Sequence, residues 1–198
     1  MPLVLPWRLQ CKFALLLLLS CAALLADAAE AVLVQASRQG DAVQVQAQAT
    51  VKAPHALIWK TLTDYDRMAE FVPGMRKSRV LARHGGTTTV EQVGTAHLWF
   101  FSFTIDVVVE ATEQPPHLIG VRVLRGNLRQ LDGGYQLEKV VGSDDEFVLR
   151  WDGVIEPAIA VPLAITVPLM RASIEQQFTG MVREIERREA LRVHGKAG

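Results

Sequence analysis

The chain has 198 residues, 49% hydrophobic and 21% charged, which suits one well-buried core and excludes disordered and coiled-coil classes. Its 21 Lys and Arg balance 21 Asp and Glu. No basic cluster stands out, so the electrostatic footprint of a nucleic-acid binder is missing and no nucleic-acid partner is expected.

In chain order, Arg8 and Lys12 precede a 13-residue apolar run, Phe13 to Leu25, and the small-residue box Ala26-Asp27-Ala28. A positive end, an apolar middle and a small-x-small site form the order of a secretory signal peptide, and the run is shorter than the roughly 20 apolar residues of a membrane-spanning helix. Residues 1–28 are therefore expected to be a signal peptide cleaved after Ala28. Without Arg8, Lys12 and Asp27 the mature chain carries 19 basic and 20 acidic residues. A periplasmic or secreted destination follows. Both cysteines, Cys11 and Cys21, fall in the leader, so disulfides, thiolate metal sites and cysteine nucleophiles are excluded from the mature protein. Leu18-Leu19-Ser20-Cys21 also fits a bacterial lipobox, which would make Cys21 a lipid-bearing first residue. The apolar Ala22 to Leu25 behind it argues against that reading, because a tethered linker is usually polar.

Residues 29–41 are expected to give an N-terminal strand, Val32 to Val34, and a turn at Gly40-Asp41. Residues 42–52 alternate apolar and polar, so the two runs read as a β-hairpin with one face buried. Pro54 opens a helical stretch with Leu57, Ile58 and Leu62 at helical spacing. Thr63 or Asp64 caps a second short helix through Met68 to Val72, stopped by Pro73-Gly74. Strand patterns follow at Arg79–Arg83, Thr87–Trp99, Phe101–Val109, Leu118–Leu124, Tyr135–Val141 and Phe147–Ile155, separated by short turns such as His84-Gly85-Gly86 and Pro115-Pro116. No connection is long enough for a parallel crossover. From about Pro168 to Leu191, the apolar Met170, Ile174, Phe178, Met181 and Ile185 recur every three or four residues, which predicts a long amphipathic helix with Pro168 at its start. Its apolar stripe needs a partner, and the sheet is the only large one. The mature chain thus reads as one α+β domain over residues 42–192, with a tail at 193–198.

The order of these elements resembles the helix-grip fold of the START-like (SRPBCC) superfamily. Leu62-Thr63-Asp64-Tyr65-Asp66, Phe71-Val72-Pro73-Gly74-Met75 and Ser78-Arg79-Val80 resemble its polyketide cyclase/dehydrase and coenzyme-Q-binding branch, as does Gly133-Gly134-Tyr135-Gln136-Leu137 later in the chain. The resemblance implies a curved antiparallel sheet wrapped around the long C-terminal helix, with two short helices after the first strand. It also implies an apolar cavity that holds lipids, quinones, sterols or polyketides.

The inward strand positions expected to line that cavity are Phe101, Phe103, Ile105, Tyr135, Leu137, Phe147, Leu149 and Trp151, facing Ile174, Phe178 and Met181 of the helix. On this reading an indole placed at Leu137 would occupy ligand space and leave stability nearly unchanged. Composition alone favours a solid core, since such residues are what cores use, and only the resemblance puts a cavity ahead of it. The histidines His55, His84, His97, His117 and His194 show no i, i+4 pair, so no metal is expected. No nucleophile elbow, Walker loop or dinucleotide fingerprint occurs, so no cofactor is expected.

Three functions remain. The first is a carrier or sequestering protein for a hydrophobic small molecule; the alternative is a cyclase or dehydratase acting on a polyketide-like substrate in the same cavity, and the third is a protein-interaction module whose groove receives a partner. The second needs a positioned titratable group, and the sequence offers only Tyr135, Lys139 and His97. Residues 157–170 carry no charge and three prolines, Pro157, Pro162 and Pro168, which should prevent a continuous helix there. That segment reads either as an apolar flap at the cavity mouth, with transient membrane contact, or as a packed connection into the helix.

Overall fold

In the computed structural model, residues 32–98, 101–158 and 162–195 are described, with the side chains of Leu98, Phe101 and Leu163 outside that set. The expected leader and lipobox lie outside the described residues. The first hairpin joins β1 (Leu33–Gln39) to β2 (Ala42–Lys52) in a register that pairs Gln39 with Ala42. Gly40 turns the chain with φ +64°, a value that favours glycine. Helix α1 (His55–Leu62), a 3-10 turn (Tyr65–Arg67) and the short α2 (Met68–Phe71) follow. Six more strands complete the sheet: β3 (Met75–His84), β4 (Thr87–Leu98), β5 (Phe101–Gln114), β6 (Leu118–Gly126), β7 (Leu128–Lys139) and β8 (Glu146–Pro157). Helix α3 (Leu163–His194) closes the fold.

Every strand pairing is antiparallel, in the order β1-β2-β8-β7-β6-β5-β4-β3. The fold is the α+β helix-grip arrangement, a curved open sheet against one long helix. Period-two alternation buries Val43, Val45, Ala47, Ala49 and Val51 of β2 against Phe147, Leu149, Trp151 and Ile155 of β8. Large faces small across this seam: Ala47 pairs with Trp151, Ala49 with Leu149 and Val45 with Gly153. On the opposite face Asp152 accepts 2.6 Å hydrogen bonds from Gln44 and Gln46.

The structure corrects two sequence expectations. β7 spans Leu128–Lys139 where Tyr135–Val141 was expected, so the strand begins well ahead of Tyr135 and takes in Gly133 and Gly134. Helix α3 begins five residues ahead of Pro168 and runs through His194, two residues into the expected tail. Pro162 precedes its first turn, its carbonyl accepting from the backbone N–H of Ile165 and Thr166 and from the Thr166 hydroxyl. Pro168 is tolerated six residues in because the carbonyl it frees belongs to Ala164, which is exposed.

Helix α3 packs against β1, β2, β4 and α1, and a charge cluster fixes its far end. Arg188 donates to Asp64 at 2.8 Å and to Glu184 at 2.7 Å, and its guanidinium lies 5.4 Å from the Phe71 ring centroid. Arg187 grips Glu184 with two further bonds, at 2.7 and 2.8 Å. Hydrogen bonding from Arg187 and then Arg188 pulls the Glu184 carboxyl down from 4.5 to about 2, against the opposing effect of desolvation. A depressed folded-state value means stability that is present above pH 4.5 and is lost as pH falls toward 2. Glu184→Gln should therefore lower stability at pH 7 by about 1–2 kcal/mol and flatten the acid limb between those values. Urea unfolding at a series of pH values checks both; an unchanged acid limb would place the sensitivity elsewhere.

Candidate functional site

The inner face of the sheet does not meet α3 everywhere. Between them lies a cavity of about 160 Å³, room for on the order of ten waters. Its walls come from β3 to β8 and the helical segment between Leu62 and Val72 on one side, and from Met170, Ser173, Ile174, Gln177, Phe178 and Met181 of α3 on the other. Among the described residues no aspartate, glutamate, lysine, arginine or histidine lines it.

Of the residues expected from sequence, Ile105, Tyr135, Trp151, Ile174, Phe178 and Met181 meet at this cavity. Leu137 and Leu149 do not. They pair across β7 and β8 as packed core, 3% and 0% exposed, away from the lining. Phe103 packs half-buried against the core without reaching the cavity, and the Phe101 side chain lies outside the described set. His97 is exposed, and Lys139 points to an ion pair with Asp144 at 3.4 Å. Neither supplies chemistry to the cavity.

Sequence reasoning missed several lining residues. Ser173 and Gln177 share the helical stripe of Met170, Ile174 and Phe178, and extending that spacing to polar positions would have found them. Val107 and Val109 continue the strand parity of Ile105. Tyr65 sits in a 3-10 turn, where no period marks it.

The polar groups at the walls are neutral. Tyr65 donates to Glu113 at 3.1 Å, and Glu113 also accepts from Thr88 at 3.2 Å. Burial, and then the Glu113 charge, push the Tyr65 phenol far above its ordinary value. Burial alone pushes Tyr135 up. Gln177 donates to Ser173 at 2.9 Å. The Trp151 indole N–H is buried with no partner among the described residues. Its ring has a built seat: a Cβ at Gly133 or Gly153 would lie only 3.0 or 2.8 Å from its Cζ2, and these two glycines face each other across β7 and β8. Tyr135 stands directly opposite Trp151, ring centroids 4.7 Å apart, and stacks on Phe178 at 6.4 Å.

A sheet curled on a long helix with an apolar hollow between them defines a START-like protein. Solved structures share this fold at low identity. The chain is similar to a STAR-related lipid transfer protein from Xanthomonas axonopodis, with 16% identity and a TM-score of 0.62 to 0.63 shared with a Mycobacterium smegmatis START superfamily protein at 15% identity. The first covers 81% of this chain and 97% of its own, the second 73% and 97%. An aromatase/cyclase from Streptomyces sp. R1128 is similar at 18% identity and a TM-score of 0.60, over 77% of this chain and 96% of that one. Residues 51–188 match the family model described as polyketide cyclase / dehydrase and lipid transport, and the chain belongs to that family. No match was found among curated protein sequences.

Proposed function

We propose that this chain is an exported carrier or sequestering protein for a hydrophobic small molecule, a lipid, quinone or polyketide-like compound, held between the sheet and α3. The observation that carries this reading is the cavity's uncharged, largely apolar lining. Such a wall favours burial of apolar ligand surface at roughly 25 cal/mol per Å². The alternative, a cyclase or dehydratase, needs a proton donor or acceptor matched to neutral pH. Among the described residues the cavity's titratable groups are Tyr65 and Tyr135, both held neutral well above that range. Export rests on Arg8, Lys12, the Phe13 to Leu25 run and the Ala26 to Ala28 box. The uncharged stretch 157–170, with Ala164 and Pro168 exposed at the start of α3, suits transient contact with a membrane that supplies the ligand.

The test is mild purification from the native compartment, followed by solvent extraction and mass spectrometry of both protein and extract. The expected result is an apolar compound near one equivalent and a protein mass beginning at Ala29. Incubation with that compound should return it unchanged. A converted product would move the assignment to the cyclase, and a full-length cytoplasmic protein would remove export.

A further inference from the structure

The indole N–H of Trp151 is a hydrogen-bond donor within a residue that is 6% exposed, and it has no partner among the described residues. A buried donor left unsatisfied forfeits the hydrogen bond it would make in water, and native structures rarely leave one without a reason. Across the β7–β8 ladder stands Tyr135, whose ring centroid lies 4.7 Å from that of Trp151 and whose phenol burial keeps protonated and able to donate. Both side chains line the cavity. The facing glycines Gly133 and Gly153 leave room for the indole, because a Cβ at either would press on its ring. Among the described residues the walls offer no cation to neutralise an anionic group, and an unpaired buried charge costs far more than an unpaired dipole.

We infer that the cavity selects an uncharged ligand bearing a hydrogen-bond-acceptor oxygen, such as a ketone, ester or quinone carbonyl, which seats against Trp151 and Tyr135, and that it rejects carboxylates. This rests on the carrier reading and adds the ligand's charge and polar group. A free fatty acid anion is excluded by the same chemistry that admits its neutral ester. Neutrality of the donor pair holds across physiological pH, because burial keeps the Tyr135 phenol protonated.

Three size-matched probes test it by calorimetry at pH 8: 2-acetonaphthone, 2-isopropylnaphthalene and 2-naphthoate. The ketone should bind at least tenfold more tightly than the hydrocarbon and at least tenfold more tightly than the anion. Tyr135→Phe should bring the ketone-to-hydrocarbon ratio toward one. Should that variant fold poorly, the three-probe comparison on the parent protein decides alone. If all three bind the parent alike, or the anion binds best, the carrier reading stands and this inference fails. An unchanged ratio in a folded Tyr135→Phe protein overturns the seat at this pair. If none of the three binds, carrier and inference fall together.

Discussion

Val121→Trp should abolish uptake of a naphthalene-sized probe while leaving urea stability within about 1 kcal/mol of the parent. Val121 is half-buried, lines the cavity, and pairs across the sheet with Ala111 on one side and Gly133 on the other. The Trp151 ring already occupies the space over Gly133, so a new indole must turn into the cavity, which is ligand space. The matched control is Leu137→Trp. Leu137 is 3% exposed beside a fully buried Leu149, with its backbone N–H bound to the His117 carbonyl at 3.0 Å. An indole there has no void to enter and should cost roughly 1–3 kcal/mol or more through forced rotamers and strand displacement. The two variants therefore separate in opposite directions when a 2-acetonaphthone titration and a urea melt are run on each. Strong binding by the Val121→Trp protein would mean that ligands occupy some other surface.

Gly180→Ala should destabilise the protein by about 1–3 kcal/mol, although alanine exceeds glycine as a helix former by about 1 kcal/mol. The reason is distance. A Cβ at position 180 would come within 2.2 Å of the Pro73 ring and 2.6 Å of the Phe71 carbonyl. Neither neighbour is a flexible side-chain end, so α3 itself must move off the segment after α2. Chemical denaturation measures the loss. A stabilised variant would show that the seam accommodates a methyl and that glycine stands there without steric need.

The long-period features were legible in the sequence. Alternation along β2 and β8 and the helical stripe of α3 set which faces turn inward, because one buried face fixes parity throughout a strand. Parity does not say how deep a side chain lies. Leu137 and Tyr135 share a face of β7, yet the first is sealed by Leu149 and the second borders open space. That difference depends on where α3 departs from the sheet, which no single strand encodes. Pro168 misled for a related reason: local rules place proline at a helix start, whereas the exposure of Ala164, four residues earlier, makes an interior site tolerable. Tyr65 and Glu113 meet only through the fold, 48 residues apart.

The β2–β8 pairing has a consequence for assembly of the molecule. Val43 is matched to Ile155 and Val51 to Phe147, so a strand formed early in synthesis waits about a hundred residues for its neighbour. Pairings of such separation carry a large loop-closure cost and form slowly. Until β8 arrives, the valine and alanine face of β2 has β1 beside it and nothing to its other flank, a sticky edge of the kind chaperones shield. The last strand and the helix behind it thus act as a latch, and the hollow that receives the ligand comes into being only when that latch closes.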